Sequence, residues 1–361
     1  MTNTLGAAVV GTGFGARVHV PALRAAGFDV VALVGQDGER TARRAERRGI
    51  EHACTSLAEA LALPGLDAVT ISAPPAQHAE LAREAIEAGR HVLCEKPFTL
   101  DVGEAASLLA LAERAGVVHA LGHELRWFPE RVAVGNAIRD GAIGDARFVS
   151  VVDFVPLLGD PAIRMPAWFY DSDLGGGWFG ASGSHAIDML RLWLGEFEQV
   201  SAAACIARAD GRGDSDDAFV VHFRLRSGAI GVIQQTGAAW ANAGQTVVSG
   251  TTGTLRVQSG QVWLGTSDGG RVIHPPSEAE PTETREGPRP TQLESMTSSE
   301  TPAYTSLCEA FGRAIRGDDP VGDVPLPTFA DGVAAMAVMD AARRSAAEGG
   351  APITIDAPPA E

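Results

Sequence analysis

Short apolar runs alternate with longer amphipathic segments over the first 122 residues of the chain. The runs are rich in valine, which suits strands buried in a sheet, and the segments between them place apolar residues at helical spacing. Glycine ends several of these segments, as it commonly does at helix C-termini. The alternation predicts an α/β domain with a parallel sheet of the Rossmann type at residues 1–122. The predicted strands cover residues 7–10, 28–34, 51–54, 67–72, 91–94 and 117–121.

The pattern changes after Gly122. A helix is predicted at residues 129–140, and the strands that follow are joined by short turns such as Ser227-Gly228, which indicates antiparallel pairing. Residues 273–302 are rich in Pro, Ser, Thr and Glu and predict a long irregular loop. We therefore expect a second α/β domain at residues 123–361. Its predicted strands cover residues 146–155, 200–208, 217–225, 229–236, 246–250, 254–258 and 352–356. Its later predicted helices cover residues 305–316 and 329–345.

A glycine-rich turn, Gly11-Thr12-Gly13-Phe14-Gly15-Ala16, follows the first strand directly. Gly11 permits a tight turn, Gly13 lets the backbone approach a pyrophosphate closely, and Ala16 allows the next helix to contact the strand. Amides at the start of that helix present the positive end of its dipole to phosphates. The turn is a weak signal by itself, but the strand–helix alternation around it predicts that these residues bind a dinucleotide cofactor.

The residue that ends the second strand of such a fold distinguishes NAD from NADP, because an acidic side chain there binds the adenosine ribose of NAD. Here Gly35-Gln36 occupies that place, and the carboxylate arrives only at Asp37. Gly35 neither binds a ribose diol nor repels a 2′-phosphate, and Arg40 is a candidate phosphate ligand. These residues favour NADP. The alternative, in which Gln36 serves either cofactor, stays open.

Further cofactor contacts are expected at the carboxyl ends of later strands, where open α/β sheets bind their ligands. Ala73-Pro74-Pro75 follows the fourth predicted strand and forms a stiff loop suited to lie along the nicotinamide ribose. Lys96 follows the fifth strand directly before Pro97, which favours an extended backbone at Lys96. The cofactor contacts predicted outside the glycine turn are Gln36, Arg40, Ala73, Pro74, His78, Glu95 and Lys96.

A second glycine-rich stretch begins at Gly175-Gly176-Gly177. A flexible glycine run would let the backbone pass close to a ligand, and a helix is predicted to start near Ser182 or Ser184. His185 lies in the first turn of that helix and shares a face with Asp188. Histidine suits proton transfer near neutral pH, so a role in the substrate site is predicted. A local hydrogen-bonding role for the histidine is the alternative.

These motifs together resemble the Gfo/Idh/MocA family of NAD(P)-dependent oxidoreductases, above all through Glu95-Lys96-Pro97. The resemblance continues through Arg126, Pro129, residues 141–144 and residues 175–188, and it covers most of the chain. It implies a Rossmann domain followed by an α/β domain with a large, mostly antiparallel sheet. It also implies sugar-like or cyclic polyol substrates and oligomers formed across the sheet, so that a homodimer or homotetramer is expected.

The resemblance also implies a catalytic set. Lys96 would bond the reacting substrate oxygen and His185 would move the hydroxyl proton, so both are predicted to be catalytic. The family pattern places a catalytic Asp four residues before the histidine, and this sequence has Ala181 there. The predicted substrate contacts are Lys96, Arg126, Trp168, His185 and Asp188. Core packing is the alternative for Trp168, and domain bridging is the alternative for Arg126.

The composition of the chain argues against several other classes of protein. The chain has 361 residues, of which 45% are hydrophobic and 20% charged, as in an ordinary globular protein of about two domains. Its net charge of −16 would repel nucleic acid, and no apolar run approaches the roughly 20 residues that span a bilayer. The four cysteines have neither disulfide nor metal-ligand spacing, and the N-terminus has no signal-peptide pattern. A cytoplasmic protein without a metal site is expected.

The sequence thus predicts an NAD(P)-dependent oxidoreductase that transfers a hydride between the nicotinamide and a secondary alcohol or carbonyl of a sugar or cyclic polyol. Ala181 keeps a second class open, a cofactor-bound sensor or regulator without catalysis. Cleavage of a glycoside through transient oxidation of the sugar is a third possibility.

Overall fold

The computed structural model describes residues 4–160, 163, 165–208, 210–274 and 292–356, with the backbone alone at residues 292–299. The chain divides into two compact units. The first contains Met1–Trp127 and Leu293–Met336, and the second contains Phe128–Gln292 and Ala337–Glu361. The first unit therefore takes in a late segment that the sequence analysis grouped with the second domain.

Within the described residues, six parallel strands form the sheet of the first unit, in the order β3-β2-β1-β4-β5-β6. This is the strand order of a dinucleotide-binding sheet, and it confirms the predicted Rossmann fold. Every residue of the central first strand is buried. The strands are β1 (Gly6–Val10), β2 (Asp29–Val34), β3 (His52–Cys54), β4 (Ala68–Ile71), β5 (His91–Cys94) and β6 (His119–Leu121).

Within the described residues, nine strands form the sheet of the second unit, in the order β14-β13-β12-β11-β7-β10-β9-β8-β15. Neighbouring strands are antiparallel except β7 and β10, which are parallel, so the predicted mostly antiparallel sheet is confirmed. The strands are β7 (Ala146–Pro156), β8 (Phe197–Cys205), β9 (Ala218–Leu225), β10 (Ile230–Thr236), β11 (Ala238–Gly250), β12 (Gly253–Gln258), β13 (Gln261–Thr266), β14 (Gly269–His274) and β15 (Ile353–Thr354).

The α-helices of the described residues are α1 (Val20–Ala25), α2 (Gly38–Arg48), α3 (Leu57–Leu61), α4 (His78–Glu87), α5 (Val102–Ala115), α6 (Pro129–Arg139), α7 (Ser184–Leu194), α8 (Gln292–Arg316) and α9 (Phe329–Ala347). Several of them begin at side-chain caps. Asp37, Ser56 and Asp101 each accept a hydrogen bond from the backbone amide three residues further on. Gly49 and Gly116 end α2 and α5 in the left-handed conformation. Among the described helices, none is long and apolar enough to cross a membrane.

Helix α8 completes the core of the first unit. Leu307 and Phe311 are fully buried, in one apolar cluster with Val9 of β1 and with Phe28. The rings of Phe28 and Phe311 stack with their centroids 6.2 Å apart. Burial of an apolar side chain of this size contributes about 1.5–3 kcal/mol. This packing explains why the late segment belongs with the first unit.

Several predictions for the second half of the chain were wrong in extent. β8 lies three residues earlier than the predicted strand at 200–208, and β13 and β14 were not predicted. The predicted loop at 273–302 was wrong at both ends, because β14 extends to His274 and α8 begins at Gln292. Pro302 lies inside α8 without ending it. Residues 275–291 of that predicted loop lie outside the described residues.

Candidate functional site

The glycine turn of the first unit presents bare backbone to its surroundings. Gly11 has a φ of 114°, and a Cβ there would lie 2.3 Å from the carbonyl oxygen of Ser72. A Cβ on Gly15 would lie 2.9 Å from a methyl group of Val9, whereas a Cβ on Gly13 would meet nothing within 4 Å. Packing therefore requires the first and third glycines. The open side at Gly13 is the feature that close approach of a pyrophosphate needs.

The turn leads directly into helix. A π-helical turn, Gly15–His19, continues into α1, so the first amides follow the glycines without a break. Ala16 is buried, as the motif requires for contact between helix and strand. The Phe14 ring packs edge-on against the rings of His19 and Tyr304, at centroid distances of 5.6 and 5.7 Å. Phe14 therefore has a packing role within the first unit.

The end of β2 is closed to an acidic side chain. A Cβ on Gly35 would lie 2.4 Å from the Thr12 methyl group, so any larger residue there must displace Thr12. Asp37 caps α2: its Oδ1 accepts a hydrogen bond from the Arg40 amide at 3.0 Å, and this bond lowers the pKa of Asp37. The Arg40 Nε lies 3.9 Å from Asp37 Oδ2. Gln36 and Arg40 are exposed.

His78 connects the loop after β4 with the loop after β5. Its ring nitrogens lie 2.9 Å from the Ala73 carbonyl oxygen and 2.9 Å from the Pro97 carbonyl oxygen. Burial lowers the pKa of His78, although the carbonyl oxygens act in the opposite direction. The peptide bond between Lys96 and Pro97 is cis. His78 thus positions the two loops at the carboxyl edge of the sheet, and its contact with a cofactor stays a prediction, as do those of Ala73 and Pro74.

A buried network holds Glu95. The Nε2 atom of His19 lies 3.1 Å from Glu95 Oε1, and the Tyr304 hydroxyl donates to the same oxygen. The other carboxylate oxygen accepts a hydrogen bond from the Lys96 amide at 3.2 Å. Burial raises the pKa of Glu95, but the hydrogen bond from His19 and the charge of Lys96 outweigh it and hold this pKa below its ordinary value. The network therefore fixes an ionised carboxylate and the backbone of Lys96 at the end of β5.

Lys96 is the only lysine in the chain, beside 28 arginines. A lysine amine can lose its proton in a protein, whereas an arginine guanidinium stays charged, so the two differ in what they can do in a reaction. Two further carboxyl groups lie within range of the Lys96 charge. Burial raises the pKa of Glu124 well above its ordinary value and that of Glu300 to about 7, and Lys96 opposes both shifts. Glu300 therefore holds its proton to a higher pH than an exposed glutamate does.

Arg126 is buried in the first unit. Its guanidinium lies 3.3 Å from the Asp331 carboxylate and donates to the Pro325 carbonyl oxygen at 3.2 Å. These partners belong to the late segment of the first unit, and they give Arg126 a structural role. Its predicted contact with substrate stays a prediction.

The glycine run of the second unit is enclosed by the protein itself. A Cβ on Gly176 would lie 2.5 Å from the Phe169 carbonyl oxygen, and one on Gly177 would lie 2.5 Å from Asp216 Oδ2. Asp216 also accepts a hydrogen bond from the Phe179 amide at 2.8 Å. The chain's own atoms account for these glycines, so the interpretation of the run as a flexible ligand contact is not needed. Trp168, in the 3₁₀ turn Ala167–Tyr170, is partly exposed.

Helix α7 carries His185 and Asp188. A π-helical turn, Phe179–Gly183, leads into this helix, and the Ser184 hydroxyl donates to the Gly180 carbonyl oxygen at 2.7 Å. His185 is 8% exposed and Asp188 is 2% exposed. The predicted helix start at Ser184 is confirmed. Ala181 lies in the π-helical turn before the helix, so the position at which the family pattern has Asp is part of this turn.

The predicted site residues are therefore divided between the units. The glycine turn, Glu95, Lys96 and Arg126 belong to the first, while Trp168, His185 and Asp188 belong to the second. Their joint action stays a prediction. Sequence reasoning missed His19, Tyr304 and Glu300. Tyr304 and Glu300 lie four residues apart on α8, but Glu300 fell in a segment predicted as a loop, so their common helix face was not visible.

Comparisons with known proteins agree with this geometry. Residues 5–123 match the oxidoreductase family with an NAD-binding Rossmann fold, and residues 132–256 match the Gfo/Idh/MocA C-terminal domain. The chain belongs to the Gfo/Idh/MocA family of NAD(P)-dependent oxidoreductases. Its predicted membership and its predicted class, a dehydrogenase or reductase, are confirmed.

Individual relatives show how far the likeness extends. An uncharacterized oxidoreductase of Synechocystis is 35% identical over 56% of this chain and 55% of its own length. A D-xylose 1-dehydrogenase (NADP(+)) of Haloferax volcanii is 32% identical over 96% of this chain and 99% of its own. Among solved structures, levoglucosan dehydrogenase in complex with NADH and levoglucosan is 23% identical, with a TM-score of 0.82 over 98% of this chain and 99% of its own. The last is a likeness of fold.

Proposed function

We propose that this enzyme transfers a hydride between the nicotinamide of NADP(H) and a secondary alcohol or carbonyl of a sugar or cyclic polyol. The observation that carries the proposal is the placement of its only lysine, Lys96, directly after the carboxyl end of β5. The glycine turn follows β1 at the same edge of the parallel sheet, where open α/β sheets bind their ligands. The named substrates of the Haloferax relative and of the levoglucosan complex support a carbohydrate.

The residues of the first unit fit a dinucleotide. The turn from Gly11 to Ala16 would hold the pyrophosphate against the bare backbone at Gly13. Ala73 and Pro74 follow β4 at the same edge and would lie beside the nicotinamide ribose. When bound, the nicotinamide supplies the hydride chemistry, while the protein supplies orientation and electrostatics.

Lys96 would donate a hydrogen bond to the substrate oxygen that gains negative charge as the carbon is oxidised. Glu95 supports this role because it bonds the Lys96 amide and is itself held by His19 and Tyr304. A lysine fixed through its backbone loses less freedom when its side chain engages the substrate.

His185 would carry the proton. As a neutral imidazole it accepts the hydroxyl proton in oxidation, and as an imidazolium it donates one in reduction. Because Ala181 supplies no carboxylate, more of the proton transfer would depend on His185 than in the family pattern. Asp188 follows one turn later on the same helix face and would orient His185 or bind a substrate hydroxyl.

NADP is the preferred cofactor in this proposal. Gly35 cannot be replaced by an acidic residue without moving Thr12, so the usual ribose-binding carboxylate has no room at the end of β2. The first carboxylate after the strand, that of Asp37, already caps α2 and pairs with Arg40. A 2′-phosphate would meet no uncompensated negative charge there.

A homodimer or homotetramer, assembled through the exposed face of the nine-stranded sheet, is also part of the proposal. Phe148 and Ile230 are register partners on β7 and β10 and are 52% and 41% exposed, and Trp240 on β11 is 80% exposed. Apolar side chains exposed side by side mark an association surface. A stable monomer in light scattering at micromolar concentration would contradict this part.

The test is turnover on a panel of sugars and polyols. We expect Lys96→Met and His185→Ala to lower kcat by about 10²–10⁴-fold with cofactor binding retained. Lys96→Arg, which keeps the charge, is expected to lose most of the activity because the guanidinium is planar and larger. Near-normal turnover in Lys96→Met or His185→Ala would contradict their roles. Cofactor binding by the wild type without turnover on any substrate would favour the sensor instead.

A further inference from the structure

We infer that a pocket beside the glycine turn binds the 2′-phosphate of NADP and that Arg44 is the residue that determines this specificity. The arginine pocket has a volume of about 200 Å³ and is lined by Thr12, Ala16, Arg17, Arg44, Arg47 and Arg48. All of these residues belong to the first unit. The inference rests on the proposed function, because it concerns the cofactor of that reaction.

Arg44 is hydrogen-bonded directly to the glycine turn. Its Nη1 donates to the Thr12 carbonyl oxygen and lies 3.1 Å from the Thr12 hydroxyl. Arg44 is on α2, one turn after Arg40, whereas Thr12 is the second residue of the turn. A guanidinium held in this way is already placed beside the turn that would bind the cofactor, so little side-chain entropy is lost on binding.

The arginine pocket is strongly positive. No carboxylate is among the described residues that line it, and within the described part of the chain none of its four arginines forms an ion pair. The Nε atom of Arg17 is buried and has no hydrogen-bond partner among the described residues. Burial lowers the pKa of Arg17, and the charges of Arg44 and Arg48 add to this effect, while Glu300 opposes it. Such a cluster in a chain of net charge −16 is stabilised by an anion.

The position of the pocket indicates which anion. The adenosine ribose of a dinucleotide lies at the end of the second strand of this fold. Gly35 follows that end directly, and its Cβ position is 2.4 Å from the Thr12 side chain. A phosphate on the ribose 2′ position would therefore lie beside Thr12, whose carbonyl oxygen accepts a hydrogen bond from Arg44. Arginine matches phosphate oxygens with paired donors.

Arg44 is a better ligand for this phosphate than Arg40. The Arg40 guanidinium is exposed and 3.9 Å from the Asp37 carboxylate, which compensates part of its charge. Arg44 has no described carboxylate partner and faces the glycine turn. Arg40 then acts mainly as the partner of the helix cap Asp37. The residue that distinguishes NADP from NAD is Arg44, one turn further along α2.

The test is titration of the full-length protein with NADPH and with NADH, by quenching of protein fluorescence. We expect Arg44→Gln to weaken NADPH binding by about 10- to 100-fold and to change NADH binding by about twofold or less. Arg47→Gln, which removes no bond to Thr12, should weaken NADPH alone by about three- to tenfold. Arg43→Gln is the matched control, since Arg43 lies on the exposed face of α2 and pairs with Glu39 at 3.4 Å.

Equal losses for both cofactors in Arg44→Gln, or no loss for NADPH in either pocket variant, would overturn the inference. Competition distinguishes the source of the phosphate: 2′-AMP should displace NADPH in the wild type more strongly than 5′-AMP, and less strongly in Arg44→Gln. Inorganic phosphate that binds without displacing NADPH would contradict the inference and indicate a separate anion site. If the wild type bound neither cofactor, the proposed function itself would fail, which is a different outcome from indifference to Arg44.

Discussion

The two glycine-rich turns, one in each unit, are similar in sequence and different in structure. In the first unit a Cβ on Gly13 would point into open space, with no atom within 4 Å. In the second unit Gly177 has a φ of 113°, and its Cβ would lie 2.5 Å from the Asp216 carboxylate. One turn therefore leaves its backbone uncovered, while the other is filled by neighbouring chain.

The comparison distinguishes a glycine that leaves room for a ligand from a glycine that is required by packing. Only a glycine whose missing side chain faces outward leaves room for another molecule. The glycines before α7 instead let Asp216 and the carbonyl groups of the turn Ala167–Tyr170 close around the segment that leads to His185. In the proposed enzyme, the second run would position the helix that carries His185, and the first would contact the cofactor directly.

Substitution of Gly177 should have the largest effect on folding. Alanine at this position must adopt a positive φ and displace Asp216, and we expect Gly177→Ala to lower the free energy of unfolding by about 3 kcal/mol. Gly228→Ala is the control, because Gly228 has a φ of 88° and open space around its Cβ position. That variant should lose only about 1 kcal/mol. Denaturant unfolding measures both, and equal losses would show that contact with Asp216 does not matter.

The carboxyl group of Glu300 provides a second test in the first unit. Burial raises the pKa of Glu300 to about 7 from an ordinary value of 4.5, so the folded protein holds this proton more tightly than the unfolded chain. The contribution of Glu300 to stability is therefore present below pH 4.5 and is lost as the pH rises toward 7. We expect a loss of about 2 kcal/mol across this window, a value reduced because the side chain is not fully buried.

Glu300→Gln should remove that slope in unfolding experiments at several pH values, while the contribution of Glu124 remains. Glu309→Gln, an exposed position on the same helix, is the control. An unchanged slope in Glu300→Gln would mean that burial does not raise the pKa of Glu300 in the folded protein. In the second unit, Asp216 is half-buried, and burial raises its pKa although the hydrogen bond from the Phe179 amide opposes this shift.

Much of the first unit could be predicted from the sequence because its elements are local. Short apolar strands, caps such as Asp101 and terminal glycines such as Gly116 define each βα unit within a few residues. The second unit was harder, since β13 and β14 are short and rich in glycine and their pairing depends on distant strands. Helix α8 was mistaken in part for a loop because its first turns are polar and contain Pro302, which does not break it.

Residues of the candidate site were predicted where they belong to a sequence motif. They were missed where only folding brings them together. Gly13, Lys96 and His185 stand in recognisable patterns. The contact of Tyr304 with Glu95 joins residues 209 positions apart, and no local pattern indicates it. The same holds for Arg17 and Arg44, which line one pocket only because the π-helical turn Gly15–His19 and α2 follow neighbouring strands.

The central claim, that the open glycine turn holds the cofactor and the enclosed one holds the fold, is tested most directly by Gly13→Val. One titration with NADPH, read beside thermal unfolding of the same sample, gives both quantities. Because a Cβ at this position meets no protein atom within 4 Å, we expect the unfolding temperature to shift by about 2 °C or less. NADPH binding should weaken by about 30-fold or more, since the side chain occupies the space of the pyrophosphate. A Gly13→Val protein that binds NADPH as tightly as the wild type would contradict the claim.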